Sequence, residues 1–345
     1  MNIIYGVSGD NYGHSSRAKI IIEHLEKEGH KVFVIAYGKS CEILSPLFKT
    51  LKIDGICLHF KENSLSLSRS FMRNLPAIAK NIWNAKEIHK KISEFNPDLA
   101  ITDFEPITAM LSYKLKIPLI AIDNQHLITH TKFSYPKKYL KSYLLTKLAI
   151  KTYIPSYDYL LILSFIKNKI NKKNIYFISP IIRKEILKLK NKKEKNQIIV
   201  YLNNPNHSFL EILKKINENF VVYGFNKQGK DKNLFFKKIS PNFIKDLASS
   251  KAVISTAGFS LLSESVYLKK PFFAIPLRGQ FEQTFNALLI KRIGIGDFSE
   301  NLNEEQIENF IKNLKKYKKN MNKIKINPED MKKVLDKILI QIKKS

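Results

Sequence analysis

Residues 252–287, AVISTAGFSLLSESVYLKKPFFAIPLRGQFEQTFNA, decide the fold. Ala252 to Ser255 is a short apolar run of strand type, Thr256 to Gly258 is a turn of small residues, and Phe259 to Tyr267 spaces its apolar residues at the helical period. The order is strand, tight turn, helix. The first turn of such a helix presents backbone N–H groups without intrahelical partners and the positive end of the helix dipole, and Gly258 removes side-chain bulk there, so an anion such as a phosphate is suited to the spot. After a break at Lys270-Pro271 come a second buried strand, Phe272 to Ile275, a loop, and a polar cluster of Gln280, Glu282, Gln283 and Asn286 that opens another helix. Two successive strands thus end in polar groups on one edge, where open α/β sheets hold ligands.

The same rhythm runs outward toward the amino terminus. Asn2 to Val7 is a buried strand, Ser8 to His14 a glycine-containing loop, Ser15 to Lys27 an amphipathic helix with Ser15 or Ser16 as cap, and Lys31 to Tyr37 the next strand. The spacing of the loop is wrong for a dinucleotide fingerprint, and no acidic residue ends the second strand to take a ribose, which excludes a nicotinamide or flavin site here. The loop does place His14, preceded by Gly13, at the carboxyl edge of the first strand. An imidazole there titrates near neutrality and can take a proton from a hydroxyl. Pro97 to Asp103 reads as a strand ending in a carboxylate, so Asp103 or Glu105 stands at the same edge, either to orient the imidazole or to cap the helix that follows.

At 345 residues, with 44% hydrophobic, the chain is long enough for two domains with a core each. A lysine- and asparagine-rich run divides them: residues 1–188, a linker at 189–197, a second domain at 198–327 and a basic helix at 328–345. The formal charge of +29 attracts anionic lipid or phosphorylated ligands, or else reflects a lysine-rich solvated surface; composition does not separate the two. Zinc-finger spacings and RNA-binding aromatic signatures are missing, which argues against nucleic acid as a partner. Cys41 and Cys57 form neither a metal pattern nor a disulfide framework and fit a reducing, cytoplasmic setting. The start MNIIYGVSGD lacks the basic, apolar pattern of a signal peptide, and no run of about 18 apolar residues predicts a spanning helix. Any membrane contact is therefore expected to be peripheral. Two stretches could make it. Leu65 to Trp83 reads as an amphipathic helix on the sheet or on a membrane. Phe133 to Tyr157 interleaves lysines with tyrosines, either resting on anionic headgroups or snorkelling over the core.

These residues together resemble GT-B glycosyltransferases, in particular the group containing the peptidoglycan lipid-intermediate N-acetylglucosaminyltransferase and the UDP-glucuronosyltransferase-like enzymes. The resemblance rests on Ala257-Gly258-Phe259-Ser260 with Glu264, then Pro276, Gln280, Glu282-Gln283 and Asn286-Ala287, together with Gly13-His14 and the strand ending at Asp103. It implies two Rossmann-like domains facing each other across a cleft, with an acceptor-binding first half and a nucleotide-sugar-binding second half. It further implies that Gly258, Phe259 and Ser260 hold the donor diphosphate, that Glu264 takes the ribose hydroxyls, and that Gln280, Glu282, Gln283 and Asn286 read the donor sugar. His14 is then the base with Asp103 as its carboxylate partner, and Gly13 and Glu105 line the acceptor side. No metal and no cofactor are implied; the donor is a nucleotide-diphosphate sugar, expected to carry uridine. The implied acceptor is a lipid-linked or surface-glycan hydroxyl, met at the inner face of the plasma membrane. Two departures leave the donor open: Asn203 to His207 is not glycine-rich, and Thr256 and Ala257 stand where relatives carry a basic residue. A nucleotide-sugar hydrolase or epimerase, and a non-catalytic nucleotide-sugar-binding partner protein, are the alternatives on the same architecture.

Overall fold

The computed structural model describes residues 1–9, 12–55, 60–61, 64–65, 74–76, 80, 84–166, 172–190, 192–202 and 207–344. The expected strand at Gly55 to Phe60, the amphipathic stretch at Leu65 to Trp83 and the loop at Asn203 to His207 lie wholly or largely outside these residues. The chain divides into two compact units, Met1–Ile181 with Asn327–Ser345, and Ile182–Ile326.

The first unit carries β1 (Asn2–Val7), β2 (Lys31–Ala36), β3 (Thr50–Lys52), a small hairpin β4 (Phe60–Lys61) and β5 (Ser64–Leu65), then β6 (Leu99–Asp103), β7 (Leu119–Asp123), β8 (Tyr159–Leu163) and β9 (Ile175–Ile178). Its helices are α1 (Tyr12–Lys27), α2 (Gly38–Leu44), α3 (Ala85–Phe95), α4 (Pro106–Leu115), α5 (Leu127–His130) and α6 (Leu140–Tyr153). Seven of the strands pair in the order β3-β2-β1-β6-β7-β8-β9, all parallel. From β1 the chain winds outward to β2 and β3, and from β6 it winds the other way, so the strand order reverses between β1 and β6. Side chains at the carboxyl ends of those two strands face the crevice that this reversal opens. Strands buried on both faces explain why β1, β6, β7 and β8 read as near-continuous apolar runs.

The second unit repeats the scheme. It holds α7 (Lys184–Leu187), β10 (Ile198–Tyr201), α8 (His207–Leu213), β11 (Phe220–Tyr223), β12 (Gly229–Asp231), β13 (Leu234–Phe236), α9 (Asn242–Ser249), β14 (Ala252–Ser255), α10 (Phe259–Tyr267), β15 (Phe272–Ala274), α11 (Phe281–Ile293), β16 (Gly296–Phe298), α12 (Glu304–Lys312) and α13 (Leu314–Met321). Its order is β12-β13-β11-β10-β14-β15-β16, parallel except for β12 against β13, and the reversal falls between β10 and β14. Phe220, Phe273 and Phe310 anchor its core. Asn303 and Gln306 form a capping box at the start of α12.

Two boundaries differ from the sequence expectation. The divide falls at Ile181–Ile182, and the residues read as a linker are tied into the second unit: Lys195 N donates to Ser249 O at 2.7 Å, and Glu194 accepts from Lys318 at 2.7 Å and Lys270 at 3.3 Å. The closing helix, α14 (Asp330–Lys344), belongs with the first unit. It buries Met331, Leu335, Ile338 and Leu339, and Asp336 pairs with His24 of α1 at 2.7 Å.

Close packing at the first reversal depends on Gly6. A Cβ there would lie 2.1 Å from Thr108 Oγ1 and 2.8 Å from Glu105 Oε2, the side chains that begin α4. Gly6→Ala should therefore destabilise the protein by about 1–3 kcal/mol, read as a lower urea midpoint. Gly258→Ala, with no atom within 4 Å of the added Cβ and a backbone φ of −68°, should leave the midpoint unchanged.

Candidate functional site

At the first reversal the structure gathers four side chains from three elements. The chain enters α1 earlier than its sequence suggests: the helix begins at Tyr12, so Gly13 and His14 lie in its first turn instead of a loop. Ser15 and Ser16 are not caps, since both hydroxyls donate back to Tyr12 O, at 3.1 and 2.7 Å. Helical geometry then puts His14 and Arg17, three residues apart, on one face, and that face meets the end of β6.

His14 Nδ1 lies 2.8 Å from Asp103 Oδ1. Arg17 grips the same carboxylate twice, through Nε to Oδ2 at 2.5 Å and through Nη2 to Oδ1, and its Nη1 donates to Asn124 Oδ1 at 3.2 Å. Nη2 also stands 2.8 Å from His14 Nδ1, so guanidinium and imidazole converge on one carboxylate oxygen. Burial pushes the Asp103 carboxyl up, but Arg17, and after it His14, pull it below the usual carboxylate range. In the tautomer of His14 protonated at Nδ1, that N–H donates to the Asp103 anion and the ring's lone pair lies on Nε2. Tyr5 is fully buried nearby; burial and then Asp103 push its phenol well up, so it stays neutral.

Glu105 takes the other role open to a carboxylate at this edge. As N-cap of α4 it accepts from Ile107 N at 2.8 Å, Thr108 N at 2.7 Å and Thr108 Oγ1 at 2.6 Å. Its oxygens are engaged in the cap and it is buried. Burial raises its carboxyl pKa, and the cap bonds only partly offset that.

A second imidazole–carboxylate pair sits one strand over, at the end of β7. His126 Nδ1 is 2.8 Å from Asp123 Oδ2, and His126 N donates to Asp123 Oδ1 at 2.9 Å. The ring meets Tyr157 edge-on with 5.7 Å between centroids, and His130 lies 5.8 Å away. Burial lowers the basicity of His126, and Asp123 more than restores it, so its pKa is raised; burial is the main reason that of His130 falls.

In the second unit, α10 starts directly after β14 as the residue periods indicate, with Gly258 as N-cap and no side chain capping it. Space beside Gly258 is open. Phe259 is buried and Ser260 half-buried. The polar cluster divides by role: Asn286 donates to Ala257 O at 2.9 Å and holds the turn before α10, while Gln283 accepts from Leu277 N at 3.0 Å and holds the loop before α11. Gln280 precedes α11 with its Oε1 buried and without a hydrogen-bond partner among the described residues, and Glu282 is half-buried in the first turn. Glu264 is gripped by Arg183, with Nε to Oε1 at 2.5 Å and Nη2 to Oε2 at 2.7 Å. A carboxylate has about four acceptor positions, so this fork leaves capacity for further donors. In the sequence nothing local distinguishes Arg183 from the other basic residues. Among the described residues no group of three or more His, Cys, Asp or Glu could hold a metal ion, and no helix is long and apolar enough to cross a membrane.

Comparison with known proteins agrees with this architecture. Glycosyl transferase family 1 matches residues 1–315. An uncharacterized glycosyltransferase of Methanosarcina acetivorans is 23% identical over 332 residues, covering 86% of this chain and 85% of that protein. A second one, from Methanosarcina mazei, is 25% identical with the same coverage. Among solved structures, the UGT2 enzyme of Phytolacca americana, complexed with UDP-2-fluoro-glucose and pterostilbene, superposes with a TM-score of 0.67 at 13% identity, covering 99% of this chain and 98% of that one. The MurG protein of Acinetobacter baumannii gives 0.61 at 13% identity, with 100% and 99% covered. These structural likenesses establish the GT-B type of fold, two Rossmann-like α/β units.

Two consequences of the first unit's electrostatics can be measured. Arg17→Leu strands the Asp103 anion in the interior and should lower stability by about 3–5 kcal/mol, whereas Asn124→Ala, which removes one neutral acceptor, should lower it by about 1–2 kcal/mol; chemical denaturation ranks them. Because the folded pKa of His126 is raised, its contribution is fully present below the unfolded value and is lost as pH rises through the raised one. The melting-temperature gap between wild type and His126→Gln should accordingly be widest in mildly acidic buffer and narrow toward alkaline pH.

Proposed function

The chain belongs to glycosyl transferase family 1, and we propose that the reaction it performs is an inverting, metal-independent transfer of a sugar from a nucleotide-diphosphate donor, a uridine one, to a hydroxyl acceptor. The observation that carries this reading is the His14 Nδ1 to Asp103 Oδ1 pairing at 2.8 Å, on the crevice side of the first sheet. It leaves one basic imidazole nitrogen, which is what a single displacement needs on the acceptor side.

In this reading His14 Nε2 takes the proton of the acceptor hydroxyl as that oxygen bonds to the anomeric carbon. The bond from that carbon to the diphosphate breaks, and the electron pair leaves on the phosphate oxygen. One displacement inverts the anomeric centre. The uncapped start of α10 at Gly258, Phe259 and Ser260 receives the developing negative charge through backbone N–H groups and the helix dipole, with no cation or cofactor. Support for metal independence comes from the carboxylates themselves: Asp103, Asp123, Glu105 and Glu264 are each engaged by protein donors. Glu264, oriented by Arg183, keeps lone pairs for the two ribose hydroxyls; Gln280, whose buried Oε1 has no hydrogen-bond partner among the described residues, reads the sugar together with Glu282, while Gln283 and Asn286 hold the loops beside them. The acceptor is a lipid-linked or surface-glycan hydroxyl in cell-envelope synthesis, met by a cytoplasmic, peripheral enzyme at an anionic membrane surface.

His14→Ala should reduce turnover with a panel of UDP-sugars by about 10²–10⁴-fold with little change in donor affinity. Gly258→Asp, which sets a carboxylate at the diphosphate position, should abolish donor binding, and Gly258→Ala should weaken it without altering stability. Release of UDP and of glycosylated product is the readout. Undiminished turnover in both His14→Ala and Gly258→Asp would sink the assignment.

A further inference from the structure

Helix α6 turns its leucines outward. Of its residues only Ile150 is buried, with Tyr139 just before it and Ile154 just after it, while Leu140 is 48% exposed, Leu144 52%, Leu145 39% and Leu148 62%. Leu140, Leu144 and Leu148 recur every fourth residue and so form one stripe, and Lys141 and Lys151 are exposed on the same outward side. A helix serving only to cover the sheet would put these leucines inward and snorkel its lysines over them. The neighbouring helix α4, which lies on the same face of the sheet and touches α6, adds Met110 at 56% and Tyr113 at 83% exposure, with Lys114 and Lys116 also exposed. Between Thr131 and Tyr157 the sequence holds six lysines and no acidic residue.

We propose that the outward face of α6, with Met110 and Tyr113 of α4, is the surface by which this protein docks on an anionic lipid bilayer, its leucines entering the acyl boundary and its lysines meeting the headgroups. Three features select this occupant. Exposed leucines have nothing to bind on a polyphosphate such as nucleic acid, but they enter the headgroup–acyl boundary. Lysines without intervening carboxylates complement the negative potential of anionic lipid. Tyr113, Tyr135 and Tyr143 belong to the residue type enriched at the water–lipid boundary. A second copy of the chain fits poorly, because a twofold interface sets the same patch against itself and would bring lysine against lysine. The inference rests on the transferase reading above, in which the acceptor is anchored in the membrane; docking through the first unit holds the enzyme where such an acceptor is.

The test is flotation of the full-length protein with vesicles of phosphatidylcholine alone and of phosphatidylcholine mixed with phosphatidylglycerol. Wild type should float with the anionic vesicles and release as salt rises. Leu144→Asp/Leu148→Asp should lower the bound-to-free ratio by roughly tenfold or more, and Lys141→Glu/Lys151→Glu by a similar factor. Both pairs are exposed, so melting temperature and the thermal shift produced by UDP should match wild type. Equal binding to both vesicle types, or wild-type binding by the leucine pair, overturns docking by this face. So does a wild-type dimer in sedimentation velocity that the leucine substitutions dissolve while no vesicle binding is seen, since that assigns the face to a second copy. Failure of UDP to shift the melting of wild type would count against the donor assignment and leave the flotation result standing.

Discussion

A carboxylate buried beyond the reach of water is stable as an anion only if fixed positive charge and hydrogen bonds replace its hydration. Asp103 meets that constraint through Arg17, and much of the first unit's organisation follows from it. Arg17 is 86 residues away in sequence, on α1, and its third nitrogen reaches Asn124 beyond β7, so one guanidinium joins three elements around the strand reversal. His14 shares the carboxylate because it lies on the same helical face as Arg17. The imidazole is thereby oriented by a group that is already locked. A loosely held aspartate would orient it far less well, since positioning is only as good as the shell behind it.

The second unit solves a different problem. In the transferase reading proposed above the start of α10 takes an anion, and such a helix start must be kept free of its own side-chain cap while the turn leading into it stays rigid. Gly258 leaves space at the start of α10, and Asn286 holds the preceding turn from a separate helix by bonding Ala257 O. Gln283 does the same for the loop before α11. Arg183 fixes Glu264 at both oxygens. Of the residues that a resemblance assigns together to donor recognition, Asn286 and Gln283 thus hold the loops.

Much of this was legible without the structure. The strands β1, β6, β14 and β15 and the helix α10 stand where the apolar period and the small-residue turns put them, and the cap of α12 could be read from Asn303 and Gln306. The position of His14 and Asp103 at strand ends was legible too. Their surroundings were not. Arg17 looks in sequence like one more basic residue of a lysine-rich chain, and His126 like part of a polar loop, because a charge carries no local mark of being buried. The start of α1 was read three residues late, since Gly13 resembles a loop residue until a neighbouring element fixes the helix around it. The linker was misplaced for a related reason: a lysine- and asparagine-rich run looks detached, but Glu194 and Lys195 are bonded into the second sheet's helices.

What the sequence determined by itself was the alternation of strand and helix, the division into two α/β halves and the presence of polar groups and glycines at strand ends, because period and turn chemistry are local properties of neighbouring residues. What only the tertiary structure decided was which charge meets which, and which side of a helix is left to solvent. The leucines of α6 read equally well as core or as surface, and the crossovers that place the helix on the sheet turned them outward. Glu105 and Asp103 were interchangeable as cap and partner until the end of β6 was set against α1. Such choices depend on elements brought together from distant parts of the chain, and that is information no single stretch of it contains.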